Sequence, residues 1–376
     1  IARHRFPKSP EDLVKSLITY VGDKEKWIEN AAIWNTLLPH GRQLYKWLDK
    51  EKHPVAAQQL ASQLFEACGV VHAYEESKEW ALKSLAVIDA HPTSFELKER
   101  AYANSVVGAS FSRLVSYEEA LPYKNKALDI YKTLYPQGHG EIVNAQRSVG
   151  ELHSYLGKQE EARKNFQEAL DMCDQLLDKS PEDRFVLKTK ARLLNGMGVS
   201  FDKEHNYKAA LPHKRDSLAL NQDLYKDASD HPAVGHSLHG LGETLIRTGK
   251  RENLAAGLDY CKKALALREQ LDKNRGGGDE HTANSQNWVG IALTQLGQAE
   301  QDSKKVEEGL EHSKKALKTF DTIYPNQGHP YIVPTLRNIV QSIKYLKSEA
   351  GLEKYEKRLK ALTSSWVYNT SRLTLT

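Results

Sequence analysis

Histidine is the residue type in this sequence that most readily suggests metal or acid–base chemistry. The 376-residue chain contains 15 histidines. His236 and His239 are three positions apart, a spacing that places two side chains on one face of a helix. Two imidazoles do not complete a zinc site, and neither HExxH nor a cluster of His and Cys accompanies them. The pair therefore indicates a polar helix face, and the sequence predicts no metal and no other cofactor.

The three cysteines, Cys68, Cys173 and Cys261, lie far apart, without CxxC spacing, and each stands within an apolar helical pattern. Isolated cysteines in such a pattern are typical of buried structural positions. Their small, odd number and the lack of an N-terminal leader favour a reducing, cytoplasmic location.

Motifs for phosphate binding or nucleophilic catalysis are missing. The sequence contains neither GxxxxGK followed by Ser or Thr nor GxSxG, the strings typical of phosphate loops and serine hydrolases. A triplet of glycines at 276–278 is flanked by charged residues, which predicts a loop between repeats. We therefore expect a protein that is not an enzyme.

Composition narrows the classes of partner. Apolar residues make up 40% and charged residues 27% of the chain, enough hydrophobic surface for a folded protein. Lys and Arg exceed Asp and Glu by only four, and the two signs are interspersed, so neither nucleic acid nor a membrane surface is the expected partner. No run approaches the roughly 20 apolar residues of a membrane span.

An internal repeat must position the polar residues. The segment that begins at Tyr117 is the first of five copies, and each copy carries two small residues seven positions apart: Ala120 and Ala127, Ala162 and Ala169, Ala210 and Ser217, Gly257 and Ala264, Gly309 and Ala316. A glycine stands in a predicted helix upstream of each copy: Gly108, Gly150, Gly198, Gly242 and Gly290. Glycine within a helix costs about 1 kcal/mol relative to alanine, so its recurrence predicts close helix packing.

These small residues resemble the tetratricopeptide repeat, in which a glycine or alanine in the first helix faces two small residues in the second. Successive anchor residues are 42 to 52 positions apart, whereas the common repeat has about 34 residues. The longer unit resembles the form found in kinesin light chains. The resemblance implies an all-α fold, a right-handed α-solenoid (superhelix) of antiparallel helix pairs.

The predicted organisation has three parts. Residues 1–50 form a helical cap or a junction to an upstream module, residues 51–365 form about seven helix pairs, and residues 366–376 form a tail. Histidine followed by proline or glycine recurs before the predicted first helices, as His53-Pro54, His91-Pro92, His139-Gly140, His231-Pro232 and His329-Pro330. Proline suits the first helical position, and an adjacent polar residue caps free amides.

The resemblance also implies where a partner binds, since arrays of this kind use the surface lined by the first helices. The predicted partner-binding residues on it are Asn144, Arg147, Glu151, Arg192, Asn195, His236, His239, Glu243, Asn284, Asn287 and Asn338. An asparagine amide can donate and accept, so it can pair with the backbone of an extended peptide, while Arg147 and Arg192 could hold a carboxylate. We expect a scaffold or adaptor that holds a protein or peptide segment.

A second hypothesis starts from the segment LLPH at 37–40. It resembles the junction at which a nucleotide-binding module leads into such repeats in signal-transduction ATPases. Because residue 1 is Ile, the chain is expected to be a fragment. On this hypothesis it is the ligand-sensing arm of a larger ATPase.

Overall fold

The structure is a computed structural model that describes residues 12, 14, 16, 31–71, 73–228, 231–273, 279–324, 331–349 and 351–367. The regular secondary structure of this part of the chain is helical throughout. The chain divides into two compact units, unit 1 comprising residues 1–152 and unit 2 comprising residues 153–376. Within the described ranges, none of the helices combines the length and the apolar character that crossing a membrane demands.

Unit 1 is a stack of short antiparallel helices. They are α1 (Ala31–Trp47), α2 (Pro54–Val70), α3 (Tyr74–Ala90), α4 (Leu97–Arg113), α5 (Tyr117–Leu134) and α6 (Gly140–Tyr155), which runs across the unit boundary. Helix α2 packs on α3, and α4 packs on α5. Trp34, Leu60 and Ile88 are buried in the core between them.

Unit 2 continues the same alternation of first and second helices. Its helices are α7 (Gln159–Lys179), α8 (Arg184–Lys203), α9 (Tyr207–Leu224), α10 (Pro232–Arg247), α11 (Arg251–Lys273), α12 (Glu280–Glu300), α13 (Ser303–Ile323), α14 (Ile332–Tyr345) and α15 (Leu352–Val367). Each first helix packs on its second helix, as α8 on α9 and α12 on α13. The predicted class, an all-α solenoid of helix pairs, is confirmed.

Two of the recurrent glycines, Gly242 and Gly290, lie where two helices approach backbone to backbone. A side chain at Gly242 would come within 2.9 Å of the carbonyl oxygen of Gly257, and one at Gly290 would come within 2.7 Å of that of Gly309. Carbon and oxygen atoms in contact are normally well over 3 Å apart, so a Cβ atom at either position would push the helices apart. The close packing predicted from the repeat is therefore present.

Histidine marks the starts of two helices. The Nδ1 atom of His139 accepts a hydrogen bond from the backbone of Glu141 at 3.1 Å, and that of His231 accepts one from Ala233 at 3.2 Å. The ring of His231 also stacks on Tyr225, with centroids 3.5 Å apart. These contacts satisfy amides that have no partner within the helix.

The prediction for the other histidine pairs has mixed outcomes. Pro54 occupies the first turn of α2, but His53 makes no side-chain cap. His91 follows the end of α3, whereas α4 begins only at Leu97. There the carboxylate of Glu99 accepts from the backbone of Glu96, so an acidic capping box begins this helix and the histidine pair does not. His329-Pro330 lies outside the described residues.

All three cysteines are buried and unpaired, as their apolar surroundings predicted. Burial raises the pKa of Cys68 and of Cys173 to about 12, and it raises that of Cys261 further. Thiols this far from ionisation are poor nucleophiles. The division of the chain at residues 50 and 365 stays a prediction, because much of 1–50 and most of 366–376 lie outside the described ranges, as does the glycine triplet.

Candidate functional site

The predicted partner-binding residues fall in both units. Asn144, Arg147 and Glu151 lie on α6 within unit 1, and the other eight lie on α8, α10, α12 and α14 of unit 2. Helix α10 contacts both α8 and α12. We call the polar side chains that these three helices and α11 bring together the polar face of unit 2: Arg192, Asn195, His236, His239, Glu243, Arg268, Asn284, Ser285 and Asn287.

In unit 1 the predicted residues bind one another. The guanidinium of Arg147 forms a close ion pair with Glu151, one turn further along α6. Its Nη2 atom also donates to the Oδ1 atom of Asn144 at 3.0 Å. The charge of Arg147 is therefore compensated within its own helix.

A lysine from the second helix also reaches this region of unit 1. Lys124 crosses Gly108, where a Cβ atom would come within 2.8 Å of its side chain. Its ammonium donates to the hydroxyl of Ser105 at 3.1 Å. Burial is the main reason that the pKa of Lys124 falls to about 8, and the nearby charge of Arg147 lowers it further.

On α8 of unit 2, Arg192 is exposed and Asn195 is half-buried. The described residues offer neither side chain a hydrogen-bond or ion-pair partner. A side chain at Gly240 would come within 3.2 Å of the Asn195 amide oxygen. Glycine at that position therefore leaves space beside the amide.

His239 lies at the centre of the polar face. It is only 7% exposed, with its Nε2 atom 3.1 Å from the Asn284 amide nitrogen and its Nδ1 atom 3.1 Å from the Ser285 hydroxyl. Burial, together with the positive charge of Arg268, holds the pKa of His239 well below 6.5. A neutral imidazole with both nitrogens in hydrogen bonds acts as a support between α10 and α12.

Asparagine amides on α12 are buried without full pairing. Asn287 is 1% exposed, and neither end of its amide has a partner among the residues that the structure describes. Asn284 is 6% exposed and uses one end of its amide on His239. Its other end has no partner among the described residues, and turning the amide over would only exchange which end is paired.

Other predicted residues have structural partners. Glu243 pairs with Arg247 at 2.8 Å. The amide of Asn338 on α14 is buried and donates to Ser313 at 2.8 Å and to Thr294 at 3.3 Å. Asn338 therefore joins α14 to α13 and α12.

Arg268 belongs to the site although the sequence did not predict it. It lies on α11, a second helix, and is 6% exposed. Its Nη1 atom donates to the backbone oxygen of His281 and to the hydroxyl of Ser285, both at 2.6 Å. Its Nη2 atom is 3.3 Å from the Nδ1 atom of His236. Burial lowers the pKa of Arg268 to about 10, which still leaves it charged near neutral pH.

Lys214 and Asp202 form a second charged group that the sequence did not predict. Lys214 crosses Gly198 as Lys124 crosses Gly108, and its ammonium lies 3.4 Å from Asp202. Asp202 also accepts from the hydroxyl of Thr244 at 2.8 Å. The sequence signal was a lysine four positions after a small residue, at Lys124 after Ala120 and at Lys214 after Ala210.

Part of the chain matches a known family of repeats. Residues 99–175 match the family model of the tetratricopeptide repeat. This match agrees with the repeat that the spacing of the small residues predicted. No curated protein matches the chain by sequence.

Solved structures share the fold at low sequence identity. The apo form of the quorum sensor NprR from B. thuringiensis is 13% identical, with 94% of this chain and 86% of that chain covered and a TM-score of 0.61. NprR in complex with its cognate peptide NprX is 14% identical, with 96% and 89% covered and a TM-score of 0.53.

A third similar structure comes from Pyrococcus horikoshii. It is a signal transduction ATPase with numerous domains that carries a tetratricopeptide repeat sensor. It is 11% identical, with 98% of this chain and 55% of that chain covered and a TM-score of 0.54. At such identities the three likenesses concern the fold.

Proposed function

We propose that this protein is a non-enzymatic interaction module that binds an extended segment of a peptide or protein along a groove formed by α8, α10 and α12. The observation that carries the proposal is the set of incompletely paired amides on Asn195, Asn284 and Asn287. An unpaired buried amide costs roughly 1–3 kcal/mol. A ligand that supplies the missing partners would recover part of that free energy.

The backbone of a peptide has the chemistry that these amides lack. Each of its residues other than proline carries one N–H donor and one C=O acceptor, and an asparagine amide can bind both. Such contacts do not depend on the side chains of the peptide. Exposed groups such as Arg192 and His236 are then available to select among sequences.

The fold is compatible with this role. NprR, which has the same fold, has been solved with its cognate peptide NprX. Repeat arrays in general offer long surfaces on which segments of other proteins bind.

The experiment is affinity selection of synthetic heptapeptides on the immobilised full chain, with bound peptides identified by mass spectrometry. We expect Asn195→Ala with Asn287→Ala to weaken binding of the selected peptides roughly thirtyfold, since two lost hydrogen bonds contribute about 2 kcal/mol together. The melting temperature should not fall, because neither amide pairs with a described residue and the unpaired buried amide of Asn287 is itself a cost.

The matched control replaces two exposed amides on second helices of unit 2, Gln222→Ala with Gln270→Ala. It should retain the same peptides as the unmodified chain. Equal recovery by the asparagine variant and this control would exclude the polar face as the binding site.

A second candidate function is the ligand-sensing arm of a signal-transduction ATPase. The likeness to the ATPase from Pyrococcus horikoshii supports it, as does the segment LLPH at 37–40. Sequencing of the full-length transcript tests this candidate. A phosphate-binding loop encoded upstream of residue 1 would support it, and an upstream region without one would refute it.

A further inference from the structure

The guanidinium of Arg268 is a buried charge without an ion-pair partner. In the described part of unit 2, no carboxylate lies within 4.0 Å of it. The carboxylates that influence it most are those of Asp279 and Asp272. Asp279 caps α12 by accepting from Thr282, and Asp272 accepts from the backbone of Asp279. Both are engaged in ordering the start of α12.

One edge of this guanidinium has a single described hydrogen-bond partner. The Nη1 atom is saturated by the backbone oxygen of His281 and the hydroxyl of Ser285. On the edge formed by Nε and Nη2, the only hydrogen-bond partner among the described residues is His236, whose Nδ1 atom is 3.3 Å from Nη2. That edge presents two parallel N–H groups, the arrangement that binds both oxygens of a carboxylate.

The same edge is occupied by a carboxylate elsewhere in the protein. In unit 1, the Nε and Nη2 atoms of Arg42 donate to the two oxygens of Glu76, both at 2.6 Å. Arg42 and Glu76 thus show the complete form of the contact that Arg268 lacks.

Two imidazoles border the edge formed by Nε and Nη2 on the solvent side. His236 and His281 are exposed, and their rings meet edge to face with centroids 4.8 Å apart. Arg268 itself is buried, so a ligand of the guanidinium would have to enter beside these rings. The incompletely paired amide of Asn284 belongs to the same hydrogen-bond network, through His239 and Ser285.

We propose that Arg268 binds a carboxylate of the ligand through its Nε and Nη2 atoms, beside His236. This inference rests on the proposed function, since the carboxylate belongs to the segment held on the polar face. It identifies Arg268 as the residue that binds the anionic group of the ligand, whereas the charge of Arg147 is compensated by Glu151.

The carboxylate has two sources, the C-terminus of a peptide and an acidic side chain. Two heptapeptide libraries distinguish them, both acetylated at the N-terminus, one with a free and one with an amidated C-terminus. Enrichment of Asp or Glu at one position in the amidated library indicates a side chain. Preference for the free-acid library without such enrichment indicates the C-terminus.

Two variants connect either preference to Arg268. Arg268→Gln removes the charge, and we expect it to abolish the preference, which should be roughly tenfold in the unmodified chain because charge-assisted hydrogen bonds are strong. His236→Glu places a carboxylate beside Nη2 at an exposed position, so it should abolish the preference without disturbing folding even if Arg268→Gln misfolds.

The control is Arg215→Gln, which removes one charge from an exposed position on α9 and should keep the full preference. Peptides retained without any preference for carboxylates would overturn this inference and leave the proposed function standing. A preference that survives both Arg268→Gln and His236→Glu would also overturn it. Retention of no peptide from either library would overturn the inference and the proposed function together.

Discussion

Units 1 and 2 each contain a lysine and an arginine beside the packed helices, but the two units compensate these charges differently. In unit 1, Arg147 pairs with Glu151, while the ammonium of Lys124 has only a hydroxyl. In unit 2, Lys214 pairs with Asp202, while the guanidinium of Arg268 has no carboxylate among the described residues. The unpaired charge is thus a lysine in unit 1 and an arginine in unit 2.

This difference matters because the two cations respond differently to burial. A buried lysine can lose its proton, and the pKa of Lys124 has already fallen to about 8. Arginine remains charged even with the pKa of Arg268 lowered to about 10. Unit 2 therefore keeps an uncompensated positive charge at neutral pH, which a bound anion can stabilise.

The largest expected difference in stability is between substitutions of the two lysines that cross glycines, Lys214 and Lys124. Lys214→Met should lower the free energy of unfolding by about 3 kcal/mol, because it leaves the buried Asp202 without its cation. Lys124→Met has no such carboxylate to leave behind and should be close to neutral. Urea denaturation combined with hydrogen exchange of each unit measures both. Equal costs for the two substitutions would show that the lysines act only by packing.

Alanine substitutions at two of the recurrent glycines, Gly290 and Gly108, should differ less in their effect on stability. Gly290→Ala should cost about 2 kcal/mol, because the new Cβ atom would meet the backbone oxygen of Gly309 at 2.7 Å, and overpacking of this kind costs about 1–3 kcal/mol. At Gly108 the nearest atoms belong to the flexible side chain of Lys124. Gly108→Ala should therefore be nearly neutral, with the helix propensity of alanine offsetting the contact. Thermal denaturation of the two variants measures both effects. Equal losses of stability would show that the close approach of the two backbones at Gly290 is not the cause.

The smallest of the three effects concerns pH in unit 2. The folded pKa of His239 is well below its unfolded value of about 6.5, first because of burial and then because of Arg268. Above pH 6.5 both states are neutral and His239 costs nothing. Below it, only the unfolded state takes up the proton, so stability falls by up to about 1.4 kcal/mol for each pH unit.

Other ionisable side chains also face His239, namely Glu243, His236, Lys214 and His281. The comparison of the unmodified chain with His239→Gln separates its contribution. Urea midpoints at pH 7.5 and 5.5 should move further in the unmodified chain than in this variant. Parallel shifts would show that His239 is protonated in the folded protein.

Local packing could be predicted from the sequence because it depends on residues close together along the chain. The small residues at Gly242 and Gly257 are 15 positions apart, within one helix pair, and their spacing repeats. The register also identified the first-helix residues Asn195, Asn284 and Asn287 as candidates for the polar face.

The partners of those residues could not be predicted, because they lie far away along the chain. His239 and Asn284 are 45 positions apart, and Arg268 and His236 are 32 apart. The register of one helix does not determine which of its polar side chains a neighbouring helix pair covers. Asn338, for example, is covered by α12 and α13. Arg268 was missed because its position on a second helix implied packing, whereas its long side chain reaches α10 and α12.

The most direct test of the central claim is hydrogen exchange of the full chain with and without the heptapeptide most enriched in selection. We predict slower exchange in α8, α10 and α12 of unit 2, strongest in α12 near Asn284 and Asn287, and unchanged exchange in α4 and α5 of unit 1. Protection confined to the second helices α9, α11 and α13, or to unit 1, would contradict binding on the polar face.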